Sequence, residues 1–430
     1  MARFDDFPSG GSPDSAQFSY DNGFARIQSA ASVGNMERKN ASGPARASLL
    51  LAISAVLALG SCGGTDVGVT GDEILIGTWA PLTGPASNLA TIAKAMEAYF
   101  RYVNEEEGGV HGRKLRLLVK DDAYDPAKTP KVASELVEGE RVFALLGGNG
   151  TANCLAVKDY IANKFIPWIN PGSGARVLTS PMNAYVFSTL PSYVTEGRVL
   201  AKYAAENLPA TKYGLLYQDD TFGREGQEGL RLGLRNTEKE IAVAQTYKVG
   251  DSDLSAAAHK FKDDGVDLIF VWTIAEGAAA LVKGIGAIEG YKPQIVASQI
   301  LSDAVMFELA GTGWEGAIVA SSVPEPDSGE PGAVRARSII EKYGEGIQFG
   351  TYALWGLSRA EVLVEGLRRS GRELTRIKLL KSLESVNDWN ENFLGHPISF
   401  DGENHLGLNA VKLSKAEGGT LVHVSDWMEP

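Results

Sequence analysis

Val142-Phe143-Ala144-Leu145-Leu146-Gly147-Gly148-Asn149-Gly150-Thr151-Ala152-Asn153 starts as five apolar residues and passes into a glycine-rich bend. An unbroken apolar run of that length, bounded by glycines, predicts a short strand buried on both faces, as in a parallel sheet. A helix is predicted immediately after the bend, over about residues 152–163. Strand, tight turn and helix make one βα unit, and the same unit recurs on both sides of it.

Toward the N-terminus, Ile74-Leu75-Ile76-Gly77-Thr78-Trp79 reads as a buried strand. The turn Pro81-Leu82-Thr83-Gly84-Pro85 and a helix through Ala93, Met96, Phe100 and Val103 follow it. Leu115-Arg116-Leu117-Leu118-Val119 is the next strand, with a helix over 127–138, and Ile166-Pro167-Trp168-Ile169 closes this series. After Pro191 the rhythm restarts, with strands at Tyr213–Tyr217, Ala242–Tyr247, Leu268–Trp272 and Ile295–Ala297. Two series of roughly 120–130 residues predict an α/β protein of two similar lobes, each a parallel sheet covered by helices. The Pro- and acid-rich segment Val323–Gly332 reads as a return crossover, followed by helices over 332–345, 350–370 and 375–386. Lobe 1 is then 72–191 with 323–394 and lobe 2 is 192–322 with 395–430, joined by a hinge. Ligands of open parallel sheets sit beyond the carboxyl ends of the strands, so the cleft between the lobes is the expected site.

The composition agrees with a folded, exported protein. The chain has 430 residues, 44% hydrophobic and 22% charged, with a formal charge of −12, which excludes a general nucleic-acid footprint. Charges within residues 1–61 cancel, so the whole −12 belongs to 62–430. Two cysteines make no disulfide scaffold, and His111, His259, His396, His405 and His423 have no zinc spacing; neither metal nor cofactor is expected. Arg38, Lys39 and Arg46 precede the apolar run Leu49–Leu59, whose helical length of about 16 Å is half a bilayer core and suits a signal peptide. Leu59-Gly60-Ser61-Cys62 resembles a lipobox, which implies lipid attachment at Cys62; an ordinary cleaved signal is the alternative. Residues 1–61 are thus expected to be a leader with its true start at Met36, and 62–71 a tether, giving a periplasmic or extracytoplasmic protein held to a membrane by lipid.

The turns carry the chemistry. Gly147–Asn153 offers free amides and the Thr151 hydroxyl at a helix start, which suits an anion and equally suits a helix cap after a tight turn. Asn170-Pro171-Gly172-Ser173-Gly174-Ala175 is a second such turn, and together the two would hold one small carboxylate by amides and hydroxyls rather than by Arg or Lys. No dinucleotide or P-loop fingerprint occurs, and no nucleophile–base set suggests an enzyme. Asp121-Asp122 and Asp219-Asp220 read as loop caps ahead of acid–base pairs, and Cys154 as a buried thiol.

Lys120-Asp121-Asp122-Ala123-Tyr124-Asp125-Pro126, Gly147–Thr151 and Ile169-Asn170-Pro171-Gly172-Ser173 resemble the leucine/isoleucine/valine-binding group of periplasmic proteins. So do Thr83-Gly84-Pro85, Asn104–Gly112 and Asp220-Thr221-Phe222-Gly223-Arg224-Glu225-Gly226, in order over some 350 residues. These proteins are solute receptors of ABC importers, related also to amide and aromatic-acid receptors. The resemblance implies a hinged two-lobe type I periplasmic-binding fold, a monomer, an ABC permease as partner and no catalysis; a sensory receptor of the same fold is the alternative. It places Thr151 as the hydroxyl donor to a ligand carboxylate and Gly172, Ser173 and Gly174 on the second carboxylate-side turn. Phe222 is the aromatic closing from lobe 2, and Thr273 is a further contact beside Trp272. Gln299 stands where amino-acid-binding members carry an acid for the ligand ammonium. Asp219, Asp220 or Glu276 would have to supply that charge, or the ligand has no ammonium. Some members link the positions of Tyr124 and Gly150 by a disulfide, for which this chain lacks both cysteines.

Overall fold

The computed structural model describes residues 66–430. Met36, the apolar run Leu49–Leu59 and Cys62 lie outside them. Strand β1 (Glu73–Ala80) pairs in parallel with β2 (Lys114–Asp121) and with β3 (Ala144–Leu146), and β4 (Trp168–Ile169) and β5 (Val186–Phe187) extend the sheet in the order β2-β1-β3-β4-β5. Ala144 and Leu146 face one apolar cluster and Leu145 the other, so β3 is buried on both faces, as its sequence requires. The clusters are supplied by α1 (Ala90–Glu106), α2 (Thr129–Ser134), which continues as a π turn to Gly139, and α3 (Thr151–Asn163). Two strands are shorter than their apolar runs. The Val142 N–H bonds back to Leu136 O, and that of Ile166 to Ile161 O, so both residues close the preceding helical segment instead of joining the sheet.

The second sheet runs β12-β11-β10-β9-β8-β6-β7. Strands β6 (Tyr213–Gln218), β7 (Ile241–Tyr247), β8 (Leu268–Trp272), β9 (Gln294–Ala297) and β10 (Ile318–Ser321) are mutually parallel. On β8, Leu268, Phe270 and Trp272 enter one cluster and Ile269 and Val271 the other. Helices α4 (Tyr193–Asn207), α5 (Thr221–Leu234), α6 (Ser255–Asp263), α7 (Ala275–Gly286) and α8 (Val305–Ala310) belong to this half. The wholly parallel expectation is corrected at one edge, where β11 (Lys412–Glu417) and β12 (Thr420–His423) add an antiparallel hairpin. Gly418 and Gly419, at φ 64° and 80°, turn it without the long crossover that a parallel strand needs.

After β10 the chain returns to the first sheet as α9 (Pro331–Tyr343), α10 (Thr351–Ser370) and α11 (Arg376–Leu383) before crossing again to β11. Helix α10 packs on α1 at Gly356, where an added Cβ would lie 2.3 Å from Ile92 O. The first and third crossings are tied together, Ser188 N–H donating to His405 O at 2.9 Å and Gly407 N–H to Ser188 O at 2.8 Å. Nearly all of α10 is buried, including Ser358, Arg359 and Glu361. Glu361 is satisfied by an ion pair with Arg335 and by the Phe393 N–H at 2.8 Å. Among the described residues no helix is long and apolar enough to cross a membrane.

Candidate functional site

The parallel strands of both sheets point their ends at a common cleft. Tyr124 follows β2, Asn149, Gly150 and Thr151 follow β3, and Gly172 follows β4. From the other sheet come Phe222 after β6, Ile274 after β8, and Ser298, Gln299 and Ile300 after β9. Trp355 and Arg359 of α10 complete the wall. This is the position that ligands take in open α/β sheets, here doubled.

On the first side, Gly147, Gly148 and Gly150 all have positive φ (69°, 80° and 97°), a run that side chains oppose. The turn delivers Thr151 as the first residue of α3, with no side chain capping the helix. The Thr151 hydroxyl is 2.9 Å from Ser173 Oγ and 3.0 Å from Tyr193 OH. Arg359 Nη1 donates to Asn149 Oδ1 at 3.1 Å, so a guanidinium stands beside the same turn. Burial lowers the Arg359 pKa to about 10, which still leaves it charged at neutral pH.

On the second side, Glu196 of α4 lies fully buried beneath Gln299 and accepts its backbone N–H at 2.6 Å and its Nε2 at 2.9 Å. This fixes the Gln299 amide so that Oε1 has no hydrogen-bond partner among the described residues, and the Ser298 hydroxyl stands beside it. Tyr193 and Phe222 meet edge to face at 4.9 Å, with Trp272 behind Phe222 at 6.0 Å. Burial raises the Glu196 carboxyl to about 7, against the two donors from Gln299. The folded protein therefore keeps a proton that the unfolded chain releases, and this contribution to stability is lost as pH rises from about 4.5 to 7. Glu325 and Glu361 are raised in the same way, so the effect is read as a difference. Between pH 4.5 and 7.5, urea denaturation of the ligand-free protein should lose stability more steeply in the wild type than in Glu196→Gln, by on the order of 3 kcal/mol. Parallel pH profiles would show that Glu196 does not titrate there.

Of the residues marked by the sequence, Thr151, Gly172, Phe222 and Gln299 line the cleft. Ser173 stands behind Thr151 as its hydroxyl partner. Gly174 accepts the Tyr193 N–H at 3.0 Å, and its own Cβ would lie 2.5 Å from Pro191 O, so it admits the close approach of the crossing chain. Thr273 is fully buried and its Oγ1 donates to Ile274 O at 3.0 Å, which leaves Ile274 on the cleft wall. None of the three acids considered for an ammonium lines the cleft: Asp219 pairs with Arg224 at 3.0 Å, Asp220 caps α5 through Gly223 N–H, and Glu276 faces a separate hollow beside Tyr247. Asp121 accepts from Leu82, Thr83 and Ala123, and Asp122 from Thr129, Tyr124 and Asn153, so both hold loops. Cys154 is buried, its thiol pushed up by desolvation. The sequence reading put amides and hydroxyls but neither Arg nor Lys at these turns; the fold adds Arg359 to the same cleft wall. Its signal was a basic residue set in the middle of an apolar helix, well before Arg368 and Arg369 of the last turn. Glu361, two residues on, does not face it on the helix and pairs with Arg335 instead.

A model of the periplasmic binding protein family matches residues 73–420, most of the chain. Leu/Ile/Val-binding protein homolog 2 of Brucella abortus is 25% identical over 316 residues, 73% of this chain and 82% of that protein. A branched chain amino acid ABC transporter from Thermus thermophilus, with bound valine, is similar at a TM-score of 0.77 and 25% identity, covering 84% of this chain and 98% of its own. The fatty acid ABC transporter substrate-binding protein from Thermomonospora curvata has the same fold at a TM-score of 0.78 and 22% identity, over 85% of this chain and 95% of its own. With two parallel sheets facing one cleft and the family pattern running through both, this chain belongs to the periplasmic binding proteins of type I fold.

Proposed function

We propose that the protein is a monomeric solute-binding lipoprotein, anchored through Cys62 outside the cytoplasm, that captures one small carboxylate-bearing metabolite and delivers it to an ABC permease. Lobe 1 (72–191 and 323–394) and lobe 2 (192–322 and 395–430) close around the ligand. The observation that carries this reading is the cleft itself, polar at both ends and apolar between them, with walls drawn from the strand ends of both sheets. A ligand that contacts both walls binds the closed form better than the open one, and so shifts the population toward the form a permease can read. Binding without turnover fits the loop-holding roles of the paired acids and the burial of Cys154.

A thermal-shift screen of the full chain with branched-chain amino acids, their amides, and aliphatic and aromatic carboxylates tests capture. At least one compound should raise Tm, and Thr151→Val should weaken it about tenfold through the lost hydroxyl bond. A flat screen would overturn the reading. The anchor is tested separately by the intact mass of native protein extracted from membranes, which should carry a diacylglyceryl group on Cys62.

A further inference from the structure

The charges in the cleft do not balance. Arg359 is only 6% exposed, and its one side-chain hydrogen bond among the described residues is the 3.1 Å contact to Asn149 Oδ1, a neutral acceptor. Arginines nearby in the fold behave differently: Arg335 pairs with Glu361, Arg337 with Asp327 and Arg368 with Glu107. Among the described residues no acidic side chain pairs with Arg359, and it is the one charged side chain on the cleft wall. A guanidinium buried without a counter-ion is costly, and its remaining N–H donors have a planar fork that matches a carboxylate.

Among the described residues, the opposite end brings no charged side chain to the cleft wall. Gln299 presents a neutral amide oxygen, Ser298 a hydroxyl, and the carboxylate of Glu196 lies behind them with both oxygens taken by Gln299. A zwitterion would satisfy Arg359 but set its ammonium against the neutral Gln299 and Ser298, with Glu196 behind them and its oxygens already engaged by Gln299. A monoanion would neutralise the cleft. The wall between the two ends is apolar, through Ile92, Trp355, Phe222, Ile274 and Ile300.

We propose that the ligand is an amine-free monocarboxylate with an apolar body, its carboxylate held by the Arg359 guanidinium beside Thr151. This rests on the capture reading above and narrows it to one chemical class. Three matched pairs test it by calorimetric titration of the full chain: 3-methylbutanoate against valine, 4-methylpentanoate against leucine, and 3-phenylpropanoate against phenylalanine. In at least one pair the acid should bind tenfold or more tighter than its amino acid, since the ammonium has no counter-charge to meet, and about 100-fold tighter than its own carboxamide. Arg359→Gln should weaken that acid by about 100-fold, and Arg359→Lys by about tenfold because a point charge replaces the fork. The carboxamide comparison uses wild-type protein, so it stands even where a variant fails to fold. Amino acids binding as tightly as their acids in every pair, or a carboxamide binding as tightly as its acid, overturns the inference and leaves capture of a small ligand intact. Binding of amino acids alone does the same, and binding of neither class overturns both.

Discussion

Gly148→Val should destabilise the protein by about 4 kcal/mol, through left-handed strain and overpacking together. Gly148 has φ +80°, and a Cβ there would lie 2.3 Å from Cε2 of Trp79. That indole cannot step aside: it is 1% exposed and packed at 5.4 Å against Trp168, whose own Nε1 is bonded to Gly147 O at 2.8 Å. The strand end, the turn and two tryptophans thus form one rigid block under the cleft. Gly108 is the control, because its φ is +72° but nothing lies within 4 Å of an added Cβ. Gly108→Val should cost only the backbone strain, about 1–2 kcal/mol. Urea midpoints of the two variants against wild type separate strain from collision. Equal midpoints would show that Trp79 yields after all.

Phe222→Ala should weaken ligand binding by about 100-fold, since an aromatic ring buried against a ligand contributes some 2–3 kcal/mol. Phe222 is 4% exposed and sits as the second residue of α5, inside the first turn that Asp220 caps through Gly223 N–H. Its ring meets Tyr193, which in turn touches the Thr151 hydroxyl. A continuous chain of contacts thus runs from this wall to the polar end of the cleft. Most of the change should appear as faster dissociation, as for other buried contacts. Titration of wild type and variant with 4-methylpentanoate, with stopped-flow release, checks both parts. An unchanged affinity would move the ligand away from this wall.

Much of the architecture was legible because both sheets are buried on both faces. Runs such as Leu268–Trp272 and Val142–Leu146 have no polar residue to blur the strand signal, and glycines mark where each strand turns into its helix. Of the strands that escaped notice, β10 is a buried run of only four residues, and the others depend on their neighbours for their placement. β5 has two residues, Val186 and Phe187, and exists through pairing with β4. β11 and β12 carry the mixed sequence of an edge hairpin, with Lys412, Lys415 and Glu417 interleaved among buried Leu413, Ser414 and Ala416, on a sheet built from residues far earlier in the chain.

The site divided along the same line. Thr151, Gly172, Phe222 and Gln299 follow strands directly, so their place on the cleft was implied by the βα order and the family resemblance alone. Arg359, Tyr193 and Glu196 lie on helices, where a sequence shows composition but not which face meets which partner. Whether a buried charge is balanced depends on groups brought together from distant parts of the chain. Arg359 and Asn149 are 210 positions apart, and Glu196 and Gln299 are 103 apart. Sequence by itself determined a two-lobed α/β fold with glycine-rich turns at its strand ends, since local apolar period and turn chemistry dictate those features. Only the tertiary structure decided the sign of the cleft, because electrostatic balance is a property of neighbours in space.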